Sequence, residues 1–123
     1  MACKSRNENL VKYLVKLGVD INEESFCGDT PLFMACESGN ENLVKYLIEL
    51  GVDIKKINHE MASPLFMACK SGNANLVKYL VELGIDITIE NTRGETALFI
   101  AYKNENKEIV DYLIDYIANI NIF

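Results

Sequence analysis

An all-α solenoid of stacked helix-turn-helix units is the fold this sequence predicts, and three observations predict it. The chain repeats itself at a step of 33 residues. Within each step the apolar residues recur with helical rather than strand spacing. Proline and glycine punctuate at fixed places, which cuts the helices to about eight to ten residues. The repeat is unbroken. Pro31 and Pro64 are followed at the same step by Ala97; Leu32, Leu65 and Leu98 come next; Ala2, Ala35, Ala68 and Ala101 keep the register. Leu10, Leu43, Leu76 and Ile109, then Tyr13, Tyr46, Tyr79 and Tyr112, do the same. The units run approximately 1–27, 28–60, 61–93 and 94–123, all within one domain.

Each unit resolves into two helices and a finger. The first helix covers Leu32 to Ser38 and its copies. Thr30, Ser63 and Thr96 stand where an N-cap hydroxyl accepts from orphan backbone N–H groups. Pro31 and Pro64 take the first helical position, where a missing N–H costs nothing. Gly39 and Gly72 end the helix in the left-handed conformation. The second helix covers Asn42 to Leu50 and its copies, with Leu43, Val44, Leu47, Ile48 and Leu50 supplying the helical period. Lys45 and Glu49, four apart, are expected to pair on its wet side, although Lys before Glu is the weaker order. Asn40, Asn42, Asn73 and Asn75 are expected to hold the turn between the helices, and Gly18, Gly51 and Gly84 close the second helix. The remaining residues form a loop or hairpin finger turning at Gly28 and Gly94.

One helix pair cannot bury its own apolar face, so neighbours must stack, at about 10 Å from helix to helix. A β-sheet fails on the period, and a compact four-helix bundle fails because the helices are too short.

The 123 residues carry a formal charge of −6, with 50% hydrophobic and 24% charged residues. That is globular composition without the cationic footprint of a nucleic-acid binder. No run of about eighteen apolar residues suits a membrane span. Met1 to Leu10 lacks a hydrophobic signal core, so secretion by that route is not expected.

Chemistry-bearing clusters are missing from the pattern as well. His59, the single histidine, sits in a finger. Cys3, Cys36 and Cys69 are one unit apart, too far to share a zinc whose sulfur ligands lie about 2.3 Å away, or to form disulfides. They read as small buried side chains, which fits a reducing, cytoplasmic setting. Cys27, in a finger, is the thiol expected to react. Asp20, Asp53 and Asp86 are likewise too far apart for paired acid–base work, and each is expected to fix its own loop by accepting backbone hydrogen bonds. Tyr46 and Tyr79 are expected to be half-buried packing residues. No enzyme activity, metal or cofactor is expected.

The segment Gly28-Asp29-Thr30-Pro31-Leu32-Phe33-Met34-Ala35-Cys36 resembles the opening of an ankyrin repeat. Gly39 and the run Leu43-Val44-Lys45-Tyr46-Leu47-Ile48-Glu49-Leu50-Gly51-Val52-Asp53-Ile54 resemble its remainder. The resemblance covers almost the whole chain. Some positions depart from it. Phe33, Phe66 and Phe99 stand where the family has His, so an apolar ladder is expected in place of a hydrogen-bonded one. Met61 replaces a turn glycine, which leaves the finger either reshaped or strained at positive φ. Arg6 and Glu105 replace the glycine after the first helix, and Ile117 the one after the second. The apolar tail from Tyr116 to Phe123 either folds back on the last helix or belongs to a longer array.

The resemblance implies a non-catalytic module that binds a protein or peptide on its concave face. Carried over by position, the binding residues are Phe26, Cys27 and Asp29, then His59, Glu60 and Ala62, then Thr92, Arg93 and Glu95 at the finger tips. The first helices add Glu37 and Ser38, Lys70 and Ser71, and Lys103 and Asn104. Phe26 is the leading hot-spot candidate. The alternative is a scaffold or spacer section of a longer array, associating weakly with itself through exposed end units. Nucleic acid and membrane are not expected partners.

Overall fold

The computed structural model describes residues 28–120. Expectations for Cys3, Arg6, Phe26, Cys27 and the last three residues of the tail therefore lie outside the described residues. Six helices follow one another: α1 (Pro31–Ser38), α2 (Glu41–Glu49), α3 (Pro64–Ser71), α4 (Ala74–Glu82), α5 (Ala97–Lys103) and α6 (Lys107–Ile120). Each odd-numbered helix packs on the even-numbered one that follows it. Across pairs, α1 packs on α3, α3 on α5, and α4 on α6. The result is the all-α stack of helix-turn-helix units that the period demands.

The core runs through the stack as ladders of the recurring residues. Leu32 and Leu65 are buried on the first helices; Leu43, Leu76 and Ile109, with Leu47, Leu80 and Leu113, are buried on the second. Each such side chain contributes roughly 1.5–3 kcal/mol on burial. The phenylalanine ladder forms between Phe33 and Phe66, both buried, and stops at Phe99, which is exposed on the last pair. Cys36 and Cys69 are buried beside Ala35 and Ala68. Burial pushes the Cys69 thiol up to about 12.

The turn between paired helices is built by asparagine. Asn40 caps α2 by accepting from the Leu43 N–H at 3.1 Å, and Asn73 caps α4 by accepting from Leu76 at the same distance. Asn106 accepts from Ile109 at 3.2 Å in the last pair. The same side chains join neighbouring pairs: Asn73 Nδ2 donates to the Gly39 carbonyl and Asn106 Nδ2 to that of Gly72, both at 3.1 Å. Asn42 and Asn75 do not share this work; they are exposed on the first turns of α2 and α4.

Two local expectations need correction, and the alternative left open at Met61 is resolved. The hydroxyl cap forms only at Thr96, which accepts from Phe99 at 3.2 Å. Thr30 makes no side-chain cap bond, and neither does Ser63, whose buried Oγ has no partner. At Ser63 the backbone carbonyl takes the Phe66 N–H at 3.0 Å, so the tightened first turn removes the donor that the hydroxyl would have met. Lys45 does not pair with Glu49; its ammonium lies 5.3 Å from the centre of the Tyr79 ring on the next pair. Lys78 repeats that contact on Tyr112 at 5.7 Å, so the half-buried tyrosines bind neighbouring pairs through cation–π contacts. Finally, Met61 does not reshape its finger: it adopts φ 62°. The second helix of the last pair runs on to Ile120, where Gly51 and Gly84 stop its predecessors and Ile117 does not.

Candidate functional site

The fingers decide where side chains meet, and asparagine holds them too. Asn58 Oδ1 accepts from the N–H groups of Glu60 and Ala62, each at 2.9 Å. One step later, Asn91 Oδ1 accepts from Arg93 at 2.9 Å and Glu95 at 3.0 Å. The two fingers thus share one clamp. They are joined to each other where Thr92 donates its N–H to the Glu60 carbonyl at 2.8 Å, and Arg93 faces the Glu60 carboxylate at 3.6 Å. The preceding tip is tied in as well. Asn58 Nδ2 donates to Asp29 at 2.9 Å, and His59 lies so close over Gly28 that a Cβ there would sit 2.6 Å from its ring.

Between the fingers and the first helices lies a groove of about 190 Å³. Glu60, Ala62, Lys70, Arg93, Glu95, Lys103 and Asn104 line it, all of them positions singled out in the sequence. Phe66, Met67, Asn91 and Ile100 complete the lining and were not. Met67 and Ile100 are 33 residues apart, in line with Met34, and that step was the available signal; both are buried and form the groove's floor.

The other candidates stand apart from this lining. Glu37, Ser38 and Ser71 are exposed near the ends of α1 and α3. The two serine hydroxyls donate within their own helices, to Ala35 at 2.9 Å and Ala68 at 2.7 Å. His59 and Thr92 are exposed at the tips. Asp29 is half-buried and engaged by Asn58, which makes it a support of the finger. Ala62 is buried, so it forms groove floor and offers no protruding contact.

Charge in the groove is largely committed. Lys103 meets Glu95 at 3.0 Å, and its ammonium also lies 5.7 Å from the Phe99 ring centre. The hydrogen bond from Asn91 and then that from Lys103 hold the Glu95 carboxyl below the ordinary carboxylate range. Outside the groove, Asp53 accepts from the Lys55 N–H at 2.9 Å, and Asp86 from Thr88 at 2.8 Å, each fixing its own loop. The Thr88 hydroxyl and N–H hold Asp86 below its ordinary pKa.

Among the described residues, no group of three or more His, Cys, Asp or Glu side chains could hold a metal ion. No helix there is long and apolar enough to cross a membrane. No curated protein matches the chain. A family profile described as ankyrin repeats, three copies, matches residues 1–58 and again 56–123. With its 33-residue step, its asparagine-linked helix pairs and this match along its length, the chain belongs to the ankyrin-repeat family.

Proposed function

We propose that the chain is a binding module that holds a segment of a partner protein in the groove between the fingers and α3 and α5. The ankyrin-repeat fold is a non-catalytic scaffold that generally mediates protein–protein interactions. The observation that carries the placement is the convergence of Glu60, Lys70, Arg93, Glu95, Lys103 and Asn104 on one groove, over a floor of Ala62, Met67 and Ile100. Framework residues recur because every unit solves the same packing problem; apart from the equivalent Lys70 and Lys103, these polar positions differ from unit to unit, Glu60 against Arg93, Ala62 against Glu95 and Ser71 against Asn104, which suits recognition. The rigid fingers present them at little ordering cost on binding.

Affinity capture from the native cell tests the reading, with wild-type protein beside an Arg93→Ala, Lys103→Ala double variant. The variant is expected to keep its helical circular dichroism and to lose the specifically captured protein. Capture of an unchanged set by the variant would sink the groove as the binding surface.

The apolar end of the stack supports a second reading, weak self-association. Phe99, Tyr102 and Ile114 are 45%, 69% and 49% exposed, side by side on the last helix pair. Contiguous exposed apolar surface of this kind marks contact sites.

A further inference from the structure

The helix pairs carry a comparison within the chain that bears on what the groove holds. Lys70 and Lys103 are equivalent, 33 residues apart, each near the end of a first helix. Lys103 pairs with Glu95 at 3.0 Å, and that glutamate side chain is only 13% exposed. The position equivalent to Glu95 is Ala62. Lys70 therefore stands over the same finger geometry with the carboxylate missing.

The equivalence holds bond by bond. Ala62 and Glu95 each donate their N–H to the finger asparagine, at 2.9 and 3.0 Å, and each carbonyl accepts from that asparagine's N–H, at 3.0 and 2.9 Å. Met61, at φ 62°, reproduces the turn of Gly94 at φ 77°. The difference lies in the side chains: Glu95 also accepts from Asn91 Nδ2 at 2.9 Å, whereas Asn58 Nδ2 donates to Asp29. Of the groove's three cations, Arg93 is paired with Glu60 and Lys103 with Glu95. Lys70 is exposed and has no carboxylate partner among the described residues. Three cations against two carboxylates make the groove locally positive on a chain whose formal charge is −6. The overall charge repels a long acidic run, while the local excess favours a single carboxylate.

We propose that the bound segment is a peptide that places one Asp or Glu side chain above Ala62, its carboxylate against Lys70, as Glu95 sits against Lys103. This rests on the reading of the groove as the binding surface.

Two acetylated, amidated pentapeptides test it, Gly-Leu-Glu-Leu-Gly and its Gln counterpart, titrated into ¹⁵N-labelled protein at low salt. The Glu peptide is expected to shift the amides of Lys70, Arg93 and Asn104 and to bind about three-fold tighter than the Gln peptide, the scale of an exposed ion pair. Lys70→Arg keeps the preference; Lys70→Gln abolishes it. Ala62→Glu also abolishes it, by supplying the carboxylate from within, and its new carboxyl titrates below the ordinary range. Equal groove binding of the two peptides, or no groove shift with either, overturns the carboxylate seat. The groove reading itself stands or falls on the capture experiment, so the two failures are distinguishable.

Discussion

Met61 shows how a single residue carries strain for its surroundings. Positive φ costs a non-glycine residue about 1–3 kcal/mol. It persists here because the Met61 N–H donates to the Asn58 carbonyl at 2.9 Å while the Asn58 side chain clamps Glu60 and Ala62. The Met61 side chain is half-exposed and gives little back. Met61→Gly should therefore stabilise the chain by about 1 kcal/mol, after allowing for the greater freedom of glycine when unfolded. Urea unfolding would register this as a higher midpoint at unchanged slope, and Met61→Ala, which keeps the strain, should give no such gain. Glu95 offers a second test at this scale. Its carboxyl is held below the ordinary range by Asn91 first and Lys103 second. A depressed carboxyl contributes stability above its unfolded pKa and loses that contribution as pH falls through the folded one. Asn91→Ala should move the Glu95 titration, followed by carboxyl ¹³C NMR, up toward the ordinary value. An unmoved titration would exclude the Asn91 bond as the leading cause.

At the scale of helices, Asn73 ties three elements together. It caps α4 through Leu76, and its amide donates to the Gly39 carbonyl at 3.1 Å and to Glu41 at 3.0 Å on the preceding pair. Loss of an N-cap alone costs about 1 kcal/mol, and the inter-pair bonds add to it. Asn73→Ala should cost about 2 kcal/mol in urea unfolding. Asn73→Asp preserves the cap acceptor but sets a carboxylate beside Glu41, so it too should destabilise. If Asn73→Asp is as stable as wild type, the inter-pair bonds carry no weight. These helices were legible in the sequence because packing repeats: Leu43, Leu76 and Ile109 face the same neighbours, so the same residue types recur. What was not legible depends on contacts across pairs or on competing backbone donors. Lys45 finds Tyr79 in place of Glu49, and Ser63 loses its donor to its own carbonyl. For the groove, the polar rim could be read from position, but Met67 and Ile100 could not be separated from the core without seeing that they line an opening.

At the scale of the whole molecule, the last described helix pair presents a face whose counterparts on the preceding pair are buried. Phe99 and Tyr102 occupy the positions of Phe66 and Cys69, which the next helix pair covers. A further pair in the same register would meet two obstacles. Tyr102 stands where Cys36 and Cys69 are completely buried, so its ring has no room beneath an incoming helix. Glu105, at φ 58°, stands in the place of Gly39 and Gly72, whose carbonyls receive the asparagine of the next pair. A Cβ on Gly72 would already lie 3.1 Å from Asn106 Nδ2, and Glu105 has a whole side chain there. The face of Leu98, Phe99, Tyr102, Val110 and Ile114 is thus apolar without being shaped for another unit of the same kind. Contact between two such faces needs no shared register, which favours association of copies through this face. Sedimentation equilibrium should show weak, concentration-dependent association of the wild-type chain. Phe99→Gln with Ile114→Lys should weaken it about ten-fold, because a buried aromatic is lost and two ammonium groups are brought together. Both substitutions lie on exposed surface, so the unfolding midpoint should barely move. An unaltered association constant would place the contact elsewhere, and a monomeric wild type at every concentration would remove the end face from consideration as a self-association surface.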